Sequence, residues 1–132
     1  MPERAMTDAE SNELARRAVA CKGFRWRWMP GMLDVSGRRV LCVWPDDLGI
    51  KWSHIPENCV VRDADALPDL TDAATLGCLL ALVREAWESP KANVSWVTYD
   101  KCMVVFATGH AQKFLLASTE AEALVAALEA AP

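Results

Sequence analysis

The chain has 132 residues, 52% hydrophobic and 24% charged, with a net charge of −4. A chain of this length makes one domain and buries about two-thirds of its unfolded surface without disulfide or metal staples; the composition excludes a disordered protein. A sequence isoelectric point near 5.1 excludes a protein whose whole surface binds polyanions.

The charge is unevenly placed. Residues 1–39 hold eight Lys or Arg against five Asp or Glu, a balance of +3, and residues 40–132 hold six against thirteen, a balance of −7. Two explanations stand at this stage: a local basic face around Arg16, Arg17, Lys22, Arg25, Arg27, Arg38 and Arg39, or chance clustering on a solvated surface. The five cysteines (Cys21, Cys42, Cys59, Cys78 and Cys102) are odd in number, form no C-x-x-C pair and lie among apolar neighbours. Thiols so placed act as small hydrophobes and point to a reducing compartment, here the cytoplasm. No secretory leader is expected, and the uncharged run Ala73–Val83 is too short to span a bilayer.

In chain order, residues 1–6 read as a loose leader to a single domain covering 1–132. Thr7 and Glu10 make a capping-box pattern, and Leu14, Ala15, Ala18 and Val19 recur at helical spacing, predicting a helix over 8–21 that Gly23 stops. The period then becomes two. Phe24, Trp26 and Trp28 alternate with Arg25, Arg27 and Met29, which predicts a strand broken at Pro30-Gly31. Residues 32–35 and 39–44 predict a hairpin around Ser36-Gly37, followed by a turn at 45–49 and strands at 50–54 and 58–62. Asp72 caps a helix over 73–87 whose apolar positions circle most of its surface, as in a buried hub, and Gly77 is expected to admit a close neighbour. A second hairpin (94–99 and 102–107), a strand at 113–117 and a helix over 120–130, capped by Thr119 and Glu122, complete the chain. The fold class expected is α+β: a mostly antiparallel sheet of six or seven strands, a buried central helix, and N- and C-terminal helices.

The segments ELARRAVACKGFRWRWMPGM, LPDLTDAATLGCLLALVREAWESP and STEAEALVAALEAAP, a little under half of the chain, resemble small accessory proteins of tailed phages and prophages. In that group proline often follows the aspartate opening the central helix, where this chain has Ala73; the front motif there reads closer to Gly-Trp-Arg-Trp than to Gly23–Trp28. The resemblance implies a phage accessory protein, and it brings no catalytic residues to carry over.

Catalytic patterns are sparse. His54 and His110 each lie beside a turn or strand end, a pairing of His110 with Cys102 is not selected by spacing, and apolar surroundings raise a thiol's pKa. The aspartate pairs Asp46-Asp47 and Asp63/Asp65 lack calcium-loop spacing, and no phosphate-loop, dinucleotide or zinc-protease motif occurs. No enzyme activity, cofactor or metal is therefore expected.

Six tryptophans are many for a core of this size. Trp87 and Trp96 read as core. Trp26, Trp28, Trp44 and Trp52 share the basic front half, and with Arg25, Arg27, Arg38 and Arg39 they form the candidate ligand-binding set. A base stacked on an aromatic ring is worth about 1–3 kcal/mol, and a guanidinium can fork onto a phosphate. On a flat strand, however, rings and guanidinium groups face opposite ways, so they converge only at a strand end, a bulge or a subunit boundary.

The functional expectation is a non-enzymatic phage protein, acting in counter-defence, that sequesters a small nucleotide-like signal in a pocket between subunits. Two alternatives are an inhibitor that blocks a host defence enzyme through an acidic surface, and a virion structural or morphogenesis protein. Neither a membrane nor an extended nucleic acid is an expected partner. A homo-oligomer is expected, because a sheet covered on one face leaves the other open.

Overall fold

The computed structural model describes residues 6–21, 24–45, 49–59, 61–98, 101–108 and 111–131. Helix α1 (Asp8–Val19) begins at the predicted cap: Thr7 Oγ1 accepts the Glu10 N–H at 3.1 Å, and the Glu10 carboxylate accepts the Thr7 N–H at 3.2 Å. It ends when the Ala20 N–H bonds the Arg16 carbonyl at 3.1 Å; Gly23, the expected stop, lies outside the described residues. Met6, read as part of a leader, packs against the core.

Strands β1 (Arg39–Val43) and β2 (Ile50–Ser53) pair antiparallel, with an irregularity between Val40 and Cys42. Helix α2 (Ala73–Ala86) is capped by the Asp72 carboxylate, which accepts the Thr75 N–H at 3.0 Å. Strands β3 (Asn93–Thr98), β4 (Lys101–Thr108) and β5 (Ala111–Ala117) form an antiparallel meander in that order. Helix α3 (Glu120–Glu129) follows, with Thr119 Oγ1 accepting the Glu122 N–H at 3.1 Å.

The class is α+β, but the single sheet of six or seven strands does not exist. Five strands are present among the described residues, divided between sheets of two and three. Three expected strands fail for identifiable reasons. Residues 24–28 alternate as a strand does, with Phe24, Trp26 and Trp28 half-buried and Arg25 and Arg27 exposed, yet they join neither ladder. At 58–62, Asn58 adopts a left-handed φ of 63°, Cys59 donates back to the Pro56 carbonyl at 3.1 Å, and a 3-10 turn opens at Asp63. Residues 32–35 make only isolated bridges, Leu33 to Arg39 and Asp34 to Pro68.

The central helix is α3, not α2. Helix α3 packs against α1, α2, β4 and β5, burying Ala121, Ala123, Leu124, Val125, Ala127 and Leu128. Its alanines keep one helix close to several neighbours at once, which bulkier side chains would prevent. Helix α2 fully buries Thr75, Leu79, Leu82 and Val83 and leaves Gly77 and Glu85 exposed. A Cβ built on Gly77 meets nothing within 4 Å, so the expected close neighbour is missing.

One core cluster runs from Leu14 in α1 through Met32, Val40, Leu82 and Val104 to Leu128 in α3. All five cysteines are free thiols. No helix among the described residues is long and apolar enough to cross a membrane.

Candidate functional site

The segment after α1 decides where the aromatic side chains go. Residues 24–28 touch both the β1–β2 hairpin, where Trp28 meets Trp52, and α2, where Arg27 meets Glu85. Trp26 meets Trp28 edge-on at 5.7 Å between ring centroids and an interplanar angle of 88°; Trp28 meets Trp52 of β2 at 5.2 Å and 70°. Such edge-to-face pairs contribute about 0.5–1.5 kcal/mol each beyond the area they bury. The Arg38 guanidinium lies over the Trp52 ring, 4.1 Å from its centroid, and the Trp52 indole N–H donates to Asp63 at 2.8 Å. Behind Arg38 stands Asp34, which fixes the turn into β1.

This aromatic train forms the wall of a groove of about 880 Å³. Phe24, Trp26, Trp28 and Trp44 supply rings, Arg25 and Arg27 supply guanidinium groups, and Asp63 and Glu85 supply carboxylates. A second hollow of about 510 Å³ lies against the same Trp26, Trp28 and Asp63. The indole N–H of Trp26 is buried and finds no acceptor among the described residues. Trp44 is 52% exposed on the rim. A separate hollow of about 750 Å³ between α1, α3 and the end of β5 has no aromatic lining.

Rings and guanidinium groups of residues 24–28 therefore line one groove within a single chain, although the segment alternates as a strand does. The candidate set divides. Arg25, Trp26, Arg27, Trp28 and Trp44 line the groove; Trp52 buttresses Trp28 from behind; Arg38 and Arg39 do not reach it.

The arginines have partners inside the molecule. Arg27 Nη1 donates to Glu85 at 2.6 Å, with its second amino group forked onto the other oxygen. Arg38 is almost fully buried and gives its Nε–H to Asp34 Oδ2 at 2.8 Å and an Nη1–H to the Val61 carbonyl at 3.1 Å. Its Nη2 lies 2.8 Å from the same Asp34 oxygen, close enough for ion pairing but outside hydrogen-bond alignment. Arg39 forks onto Asp72 at 3.1 Å for each arm and reaches the Gly31 carbonyl at 2.7 Å. Arg17 pairs with Glu129 and Arg16 with Glu13. The expected basic face is thus largely neutralised, and Lys22 lies outside the described residues.

These pairings shift the acids. The Arg27 hydrogen bonds hold the Glu85 carboxyl below its usual range, and those from Arg39 do the same to Asp72, assisted by the Thr75 N–H and hydroxyl. Burial pushes the Cys21 and Cys78 thiols up, as expected for apolar surroundings. Cys59 departs from that expectation: the Val61 backbone N–H and the Ser36 hydroxyl, 3.6 Å away, draw its pKa down.

Asp63 and Asp65 are engaged by Trp52 and Arg62, while Asp46, Asp47 and His110 lie outside the described residues. Trp87 donates to the Ala127 carbonyl at 2.8 Å and packs on Phe106, as a core residue does. Glu85, Asp63, Val43 and Ile50 were missed as groove residues. Glu85 follows Arg27 by 58 positions, and no local spacing links them.

No protein-family model matches the chain, and neither a curated protein nor a solved structure matches it.

Proposed function

We propose that this chain is a non-enzymatic binding protein of phage origin, acting in counter-defence, that holds a small nucleotide-like ligand in the tryptophan-walled groove. The observation that carries the reading is the convergence of Phe24, Trp26, Trp28 and Trp44 with Arg25 and Arg27 on one cavity of about 880 Å³. That volume falls within the range of small-molecule sites, about 300–1,000 Å³, which are mostly apolar with a few placed polar groups. The phage origin rests on the three resembling segments. The pocket is built within one chain, so a subunit boundary is not required to complete it.

The Arg27–Glu85 pair limits what a phosphate adds to the affinity. Both side chains are about half exposed, and surface ion pairs of this kind contribute about 0–1 kcal/mol. A ligand phosphate takes Arg27 from Glu85 at small cost, but it must compete for it. The ring contacts consequently supply most of the binding, and the phosphate adds selectivity.

The test is titration calorimetry against a panel of cyclic and linear nucleotides and their parent nucleosides. Glu85→Gln removes the competing carboxylate; it is expected to tighten nucleotide binding by up to about fivefold, a change of at most about 1 kcal/mol, with nucleoside binding unchanged. Trp44→Ala is expected to weaken both. Absence of heat above dilution across the panel, with Arg25→Ala and Arg27→Ala together leaving the phage phenotype unaltered, would overturn the proposal.

A further inference from the structure

The β3–β4–β5 sheet has one face on the core and one that the chain leaves bare. Cys102, Val104, Phe106, Val94, Trp96, Leu115 and Ala117 point inward, in the core or packed against it. The alternate positions of β4 and β5 carry Met103, Val105, Phe114 and Leu116. Register places Met103 beside Leu116 and Val105 beside Phe114, so the four side chains form a contiguous block across two strands. Phe114 is 61% and Leu116 56% exposed, and Met103 and Val105 beside them on β4 are half-buried. Val97, at the irregular end of β3, is exposed as well. Asn93 and Ser95 continue the face along β3, and Lys101 is its one charge among the described residues.

We propose that this face pairs with the same face of a second copy, giving a two-fold homodimer of stacked sheets. Charge and area argue for a copy of the chain as the occupant. A charged partner would find little to complement, whereas an apolar block complements itself about a two-fold axis. The net charge of −4 opposes adsorption to an anionic bilayer.

Three strands about 4.8 Å apart and six to eight residues long make a face of roughly 14 by 22 Å. Two such faces, with the corrugation of their side chains, bury on the order of 1,000–1,200 Å² in total, the lower limit for a specific interface. A modest area of this kind predicts a dimer that dissociates in the micromolar range. The interface shares no residue with the tryptophan groove, so dimerisation and ligand binding are separate properties and either can fail alone.

Sedimentation velocity from micromolar to near-millimolar protein tests the inference. The mass is expected to rise with concentration from 14.5 kDa to twice that value. Phe114→Lys combined with Leu116→Lys is expected to hold the protein monomeric at every concentration, with the melting temperature of the wild type at dilutions where that too is monomeric. Trp44→Ala, an exposed ring elsewhere, should leave the dimer intact. Hydrogen exchange of the wild-type chain at the two concentration limits gives a readout independent of the variants, with protection gained over β4 and β5. A wild-type monomer throughout, a dimer that survives the double lysine substitution, or protection gained outside the sheet overturns the proposal. So does a wild-type chain that stays monomeric alone but floats with phosphatidylcholine–phosphatidylglycerol vesicles, which would assign the face to lipid.

Discussion

Asp34 is 1% exposed, and its two oxygens accept four hydrogen bonds: from the Ser36 N–H and hydroxyl, the Arg38 N–H and the Arg38 Nε–H. Removing one partner of a buried ion pair leaves the other charge uncompensated, which costs about 3–5 kcal/mol. Asp34→Ala is therefore expected to lower the unfolding free energy by that amount in urea denaturation, and a loss below about 1 kcal/mol would mean that Arg38 finds another partner. The same pair shows why the role of Arg38 is hard to read from sequence. A guanidinium seeks a forked oxyanion, and the chemistry of Arg38 and Arg39 is identical whether that oxyanion is an internal carboxylate or a ligand phosphate. Asp34 lies four positions from Arg38 and Asp72 thirty-three from Arg39. Neither separation carries a mark that a sequence pattern records, so only proximity in the folded chain separates a structural arginine from a binding one.

Among the elements, the helices were legible because their start signals are local. Thr7 with Glu10, Asp72 with Thr75, and Thr119 with Glu122 each satisfy free backbone N–H groups within one turn. Strand β2 and the β3–β4–β5 meander were recognisable from alternation and turn residues. The run Phe24–Trp28 shows where that signal stops: alternation records which way side chains face, and a segment laid against a core alternates whether or not its backbone finds a ladder. The positive φ of Asn58 likewise excludes a strand that its neighbours' β propensity favoured. Gly77 yields a prediction at this scale. It sits inside α2, exposed, with open space where a Cβ would stand. Gly77→Ala is expected to raise stability by about 1 kcal/mol in thermal unfolding, with no change in ligand binding, because alanine is the better helix former there.

Over the whole molecule, the uneven charge of the sequence becomes internal cross-linking. Arg17 pairs with Glu129, Arg27 with Glu85 and Arg39 with Asp72, each tying the basic front to the acidic remainder. Both Glu85 and Asp72 are held below their ordinary carboxyl pKa. Their contribution is complete above the unfolded value of about 4 and is lost as the pH falls through the lower folded value. Stability measured by urea denaturation is therefore expected to decline with acidification below about pH 4, and Asp72→Asn should flatten that decline. An unchanged profile in the variant would assign the acid sensitivity to other carboxyls. Helix α3, on which α1, α2, β4 and β5 all lean, is also the last of these elements to be translated. The nascent polypeptide must leave the ribosome with its greasy surfaces still waiting for their common floor, so an early stop codon upstream of Thr119 would deliver a species fit for chaperones and proteases instead of a smaller working protein.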